Sequence, residues 1–215
     1  MQTLSLFHFD KTQADNLESN VLIGIDEAGR GPLAGPVVAC ACYIPSSEAL
    51  SFTDVNDSKK LSESKRNELF ERLTHSDILY NVGFATAQEI DRLNILQATF
   101  LAMRRAAQQF INTPHAVALI DGPHKVAGLD MRQEAIVDGD AKSLVIAAAS
   151  IIAKVTRDRY MAQLDKLYPG YDFALHKGYG TTKHLQALRV LGPCKEHRTS
   201  FAPVRRLLEQ PSLPL

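Results

Sequence analysis

The sequence predicts an α/β fold, a mixed sheet flanked by helices with a small helical portion at the C-terminus. Three observations predict it. Apolar, β-branched runs of strand length recur at 21–26, 37–44 and 116–121, helix-period segments separate or follow them, and the chain beyond residue 168 turns basic and loop-rich before two short helical stretches. Residues 1–20 read as an N-terminal extension, 21–168 as the core and 169–215 as a basic helical portion. The 215 residues, 45% hydrophobic and 22% charged, suffice for one sizeable domain with an appendage.

The first strand is 21–26, ending in adjacent carboxylates, Asp26 and Glu27. The second, Val37 to Ile44, follows through a Gly/Pro loop too short for a crossover helix, so the two should pair antiparallel. Ser62 begins a helix in which Leu69, Phe70 and Leu73 share a face. Leu79 to Ala85 is a third strand, and Ile95 to Ile111 a helix whose polar face includes Arg104, Arg105, Gln108 and Gln109. Ala116 to Asp121 is a buried strand that again ends in Asp, before the turn Gly122-Pro123. Ala135-Ile136-Val137 is a short strand leading into Asp138-Gly139-Asp140. A long helix runs from Ser143 to about Leu167, rich in alanine, which lets another element lie close. Further helices are expected from Thr181 to Leu191 and Pro203 to Glu209, with Gln210 to Leu215 as a frayed tail.

Composition narrows the function classes. No apolar run reaches the ~18 residues that cross a bilayer, and the N-terminus lacks the basic start and cleavage site of a secretory signal. Cys40, Cys42 and Cys194 are too few and too irregular for a disulfide framework, so the cytoplasm is the expected compartment. Cys40 and Cys42 share one face of a strand and read as core packing. The formal net charge of zero conceals an asymmetry: residues 1–139 carry 12 Lys+Arg against 18 Asp+Glu, whereas 140–215 carry 12 against 6, with His176, His184 and His197 besides. Such a split favours a polyanion groove built largely by the C-terminal third; a solvated basic face is the plainer reading.

Asp26, Glu27, Asp121 and Asp140 are the carboxylates that the elements could bring together. Mg²⁺ and Mn²⁺ take oxygen ligands and share carboxylates with substrate phosphates, and paired ions can activate water and stabilise a leaving oxygen in phosphodiester hydrolysis. Each acid also has an ordinary use. Asp121 could start a turn, and Asp140 could be only the N-cap of the long helix. Asp26 and Glu27, as strand neighbours, face opposite ways unless the strand ends or twists between them. The glycines of Gly29-Arg30-Gly31 allow close approach of backbone to a ligand. A nucleotide-binding enzyme is disfavoured, because no Gly-x-x-x-x-Gly-Lys-[Ser/Thr] occurs and Gly-Arg-Gly precedes a strand. A catalytically silent nucleic-acid-binding module would retain the basic face and need no acids.

The wider pattern is more specific. Asp26-Glu27-Ala28-Gly29-Arg30-Gly31-Pro32, then Asp57-Ser58-Lys59-Lys60-Leu61, then Gly139-Asp140 ahead of the run from Ile146 to Asp158, then His176-Lys177-Gly178-Tyr179-Gly180-Thr181, closely resembles the bacterial ribonuclease HII family from about Val21 to Val204. The resemblance implies a ribonuclease H-like fold whose catalytic core is 21–168. It implies endonucleolytic cleavage of the RNA strand of RNA–DNA hybrids and at single ribonucleotides in duplex DNA, leaving 5′-phosphate and 3′-hydroxyl ends. Asp26, Glu27, Asp121 and Asp140 are then the catalytic and metal-binding acids, with Mn²⁺ or Mg²⁺ as cofactor. Gly29, Arg30 and Gly31 should contact the ribose 2′-OH, and Tyr179 should stack on the next deoxyribose. Ser58, Lys59 and Lys60 suit substrate contact, the lysines at phosphates. Lys154 and Arg157 share a helix face and suit either substrate or an ion pair with Asp158. One departure stands out: the family usually carries a basic residue where this chain has Asp138. A monomer is expected.

Overall fold

The computed structural model describes residues 2–52, 54–55 and 61–209, with side chains from residue 6 onward. Five strands form one mixed sheet in the order β3-β2-β1-β4-β5. They are β1 (Leu22–Ala28), β2 (Val37–Tyr43), β3 (Leu79–Ala85), β4 (Val117–Asp121) and β5 (Arg132–Ile136). β1, β2 and β3 form an antiparallel meander, with Asp26 opposite Cys40 and Glu27 opposite Ala39. β4 and β5 extend the sheet in parallel from β1. The antiparallel pairing of β1 and β2 and the mixed sheet are as the sequence predicts. β5 begins three residues before its expected start, because the polar Arg132, Gln133 and Glu134 are tolerated on an edge strand.

Helices cover both faces: α1 (Gln2–Asn16), α2 (Glu63–Thr74) and α5 (Leu144–Leu167) on one, α3 (Ala87–Leu93) and α4 (Ile95–Ala107) on the other. α5 lies against the centre of the sheet because Gly24 leaves no side chain beneath it. A Cβ at position 24 would stand 2.1 Å from the Val145 carbonyl carbon. Ala147, Ala148, Ala149 and Ala153 of α5 are fully buried. The distal half of α5 joins a third apolar cluster, where Met161 and Leu164 meet Leu33, Phe173, Leu188 and Val204. That cluster roots α6 (Phe173–His176), α7 (Thr182–Leu191) and α8 (Ala202–Glu209).

Several elements differ from expectation. The N-terminal extension contains α1, whose Leu6 is buried and whose Asp10 accepts the Val145 N–H at 3.1 Å. Burial raises the Asp10 carboxyl to about 6, against hydrogen bonds from Ser143 and from the Val145 and Leu144 N–H groups. α3 was not foreseen, although Thr86 and Glu89 make a reciprocal capping box at its start. The helix expected to reach Ile111 stops at Ala107 and continues as a 3-10 turn, Gln108–Phe110. The expected tail, 210–215, lies outside the described residues. No described helix is long and apolar enough to cross a membrane.

Candidate active site

Three acids converge where β1, β4 and the turn before α5 meet. Asp26 lies on β1, Asp121 is the last residue of β4, and Asp140 sits in a 3-10 turn, Gly139–Ala141. One carboxylate oxygen from each lies within 4.8 Å of the others, and Asp26 and Asp140 are buried. The parallel pairing of β1 with β4 brings the first two side by side. Asp140 arrives through a hydrogen bond: the Gly139 N–H donates to Asp121 Oδ1 at 2.7 Å. Asp140 is not the helix cap, because Ser143 caps α5 by accepting from the Ile146 N–H. Asp138 is exposed, in a left-handed conformation at φ 54°, and stands outside the cluster.

Glu27 stands apart from this trio. β1 runs on through Ala28, so alternation holds: Leu22, opposite the Ile23 and Ile25 face, packs with the α5 cluster, as does Cys40, the cross-strand partner of Asp26. The Glu27 side chain pairs with Arg30 at 3.2 Å, and its N–H donates to Asp26 Oδ1 at 2.6 Å. Glu27 still lines a cavity of about 160 Å³ with Asp26, Gly29, Lys154 and Tyr179. A larger cavity of about 650 Å³ opens under α1, lined by Phe7, Asp10 and Leu22, away from the acids.

The electrostatics favour a cation. Burial, then the charges of Glu27 and Asp121, push the Asp26 carboxyl well above its ordinary range, while the Ser150 hydroxyl and the Glu27 N–H pull it back. Clustered carboxylates removed from water are costly unless a positive charge compensates them. An all-oxygen donor set of this size suits a hard divalent ion, so the residues present fit one.

The Gly-Arg-Gly turn borders the same cavity. Gly29 adopts φ +94°, and a Cβ there would stand 1.9 Å from Arg157 Nε. The turn leads into β2 rather than a helix, which removes the phosphate-loop reading. Arg30 and Gly31 are exposed. The half-exposed Tyr179 places its ring edge 3.5 Å from where a Gly31 Cβ would lie. Lys154 pairs with Asp158 at 2.7 Å. Arg157 takes neither role expected of it, being buried with its guanidinium donating to the Pro36, Ala34 and Lys177 carbonyls. Ser58, Lys59 and Lys60 lie outside the described residues.

The histidines counted with the basic third are neutral interior groups instead. The Cys194 N–H donates to His197 Nδ1 at 3.0 Å, so the His197 proton sits on Nε2 and faces His184 Nε2 at 3.1 Å. The His184 proton is therefore on Nδ1, which donates to the Tyr179 carbonyl at 2.9 Å. His176 accepts the Gly178 N–H and donates to the Tyr171 carbonyl at 2.6 Å. Burial lowers the His184 imidazole; burial and then His184 lower His197 to about 4. His176 and His184, backed by His197, hold the loop that carries Tyr179, while Arg198 holds the Gly-Arg-Gly turn. These structural roles were missed in the sequence, where His176 stood inside a motif and the others only near one.

The sheet order and the acids at its centre define a ribonuclease H-like fold with a candidate divalent-cation site. Comparisons with known proteins narrow the class. The family model for ribonuclease HII matches residues 23–204. A ribonuclease HII from Endomicrobium trichonymphae is 50% identical over 209 residues, covering 97% of this chain and 98% of that protein. One from Desulfitobacterium hafniense strain Y51 is 55% identical over 188 residues, covering 87% and 71%. Among solved structures, ribonuclease H2 from Pyrococcus horikoshii OT3 superposes with a TM-score of 0.67 at 26% identity, over 87% of this chain and 96% of that one. Bst-RNase HIII, solved with Mn²⁺, gives 0.75 at 20% identity over 91% and 71%, a likeness of fold. The chain belongs to the ribonuclease HII family.

Proposed function

We propose that this protein is a divalent-metal-dependent endonuclease that hydrolyses the RNA strand of RNA–DNA hybrids and cuts at single ribonucleotides in duplex DNA, leaving 5′-phosphate and 3′-hydroxyl ends. The observation that carries the reading is the trio of carboxylates within 4.8 Å, set beside an exposed glycine turn and an exposed tyrosine. Family membership supports the reaction. Asp26, Asp121 and Asp140 would hold Mn²⁺ or Mg²⁺, with Glu27 completing the site from the neighbouring strand position. When bound, the ion would supply Lewis-acid stabilisation of the charge developing at the scissile phosphate.

The protein's own groups do the rest. The Gly29-Arg30-Gly31 backbone meets the 2′-OH, the group that tells RNA from DNA. Tyr179 stacks on the following deoxyribose. Lys154 and the exposed cations of the C-terminal third contact phosphates without reading sequence, and Ser58, Lys59 and Lys60 are assigned the same task. Action as a monomer in the cytoplasm belongs to this reading. The test is a duplex with one ribonucleotide, incubated with Mn²⁺, Mg²⁺ or EDTA beside an all-DNA duplex. Metal-dependent cleavage of the first alone is expected. Cleavage persisting in EDTA, or equal cleavage of both duplexes, would overturn it.

A further inference from the structure

Arg198 is fully buried beneath the Gly-Arg-Gly turn. Among the described residues its guanidinium donates to main-chain carbonyls and to no carboxylate. Nη2 reaches the Gly29 oxygen at 2.6 Å, Nη1 the Arg30 oxygen at 2.8 Å, and Nε and Nη2 the Gly35 oxygen at 3.0 and 2.8 Å. Its own N–H donates to the Leu33 carbonyl at 2.8 Å, and Phe201 stacks 5.1 Å from the guanidinium carbon. One side chain from the far end of the chain thus gathers both ends of the 29–35 turn.

The peptide unit converts this into a statement about donors. In a trans peptide the C=O and N–H of one unit point in opposite directions, and the structure contains no cis bond among the described residues. With the Gly29 and Arg30 oxygens drawn inward, the N–H groups of Arg30 and Gly31 are turned outward. Both residues are exposed, and the Tyr179 ring lies beside Gly31. We propose that Arg198 is a positioning residue for ribose recognition, fixing the Arg30 and Gly31 N–H groups in the orientation that a ribonucleotide 2′-OH requires. The proposal rests on the assignment of this turn to the 2′-OH in the preceding section. Lysine cannot substitute, because one ammonium cannot span carbonyls that a planar guanidinium reaches together.

The test compares the parent with Arg198→Lys on a single-ribonucleotide duplex, with an all-DNA duplex of the same sequence as competitive inhibitor. The Lys variant should lose roughly 10- to 100-fold in kcat/KM on the ribonucleotide duplex, the scale of one set of charge-assisted hydrogen bonds. The inhibition constant of the all-DNA duplex and the melting-point rise with Mn²⁺ should match the parent. An unchanged kcat/KM, or a parallel loss of all-DNA binding, would overturn the proposal. If the parent itself shows no preference for the ribonucleotide duplex, the assignment of the turn fails instead. Hydrogen exchange of the unaltered free protein decides the matter should Arg198→Lys not fold: the Arg30 and Gly31 amides should exchange rapidly, and slow exchange would contradict the outward orientation.

Discussion

Asp121 Oδ1 accepts the Gly139 N–H at 2.7 Å, and this bond ties the end of β4 to the turn that delivers Asp140. The Asp140 N–H donates to the same oxygen at 3.4 Å, so Asp121 holds the turn through two adjacent main-chain groups. Asp121→Asn keeps an acceptor for Gly139 and removes the charge. It should therefore fold normally while losing about 100-fold or more in cleavage, the scale on which preorganised electrostatic groups act. Circular dichroism with a cleavage assay checks both halves.

Asp26 is buried among like charges, and its carboxyl is raised mainly by burial. Asp26→Asn removes a charge that the metal-free fold accommodates poorly. In EDTA at pH 8 the variant should be more stable than the parent by about 1–3 kcal/mol, the cost of an uncompensated buried group, and inactive with Mn²⁺. Adding Mn²⁺ should raise the melting temperature of the parent and not of the variant. Urea denaturation with and without the ion measures this.

Gly24 lets the start of α5 rest on β1, with a Cβ only 2.1 Å from the Val145 carbonyl carbon. The obstacle is backbone, which cannot rotate aside. Gly24→Ala should destabilise by about 1–3 kcal/mol or more and disturb the turn carrying Asp140, so activity and stability should fall together. A parent-like melting curve would show that α5 can move away.

Two buried groups give opposite pH linkage. His197, lowered to about 4 in the fold against 6.5 unfolded, contributes stability that is full above the unfolded value and is lost as pH falls toward 4. Asp10, raised to about 6, opposes it, its carboxyl favouring the fold at low pH and costing stability as pH rises. Asp10→Asn should thus stabilise the protein at pH 8 by about 1–2 kcal/mol, and in that background stability should drop by roughly 1–2 kcal/mol from pH 7 to 5. Denaturant titrations at the three pH values, with the His197 imidazole followed by NMR, check both signs.

Much of this was legible in the sequence. β1 to β4, α4 and α5 follow from apolar runs and periodicity, and the acids that meet stand where strands and a Gly-Asp turn leave them. What escaped was tertiary. The reading of Asp140 as helix cap could be removed only once Ser143 was seen to cap α5. Arg157 and Arg198 look like surface cations until the carbonyls of the Gly29–Pro36 turn are found around them. His184 and His197 look like charge until their shared hydrogen bond makes them neutral. α1 escaped because no apolar stripe marked residues 1–20. α3 was missed despite a legible Thr-x-x-Glu start.

The most direct measurement is anomalous scattering from crystals soaked in Mn²⁺. A manganese peak among the carboxylates of Asp26, Asp121 and Asp140, absent from Asp26→Asn crystals, is the result this account predicts. A fully active protein whose manganese lies elsewhere, with those carboxylates bare, would contradict it.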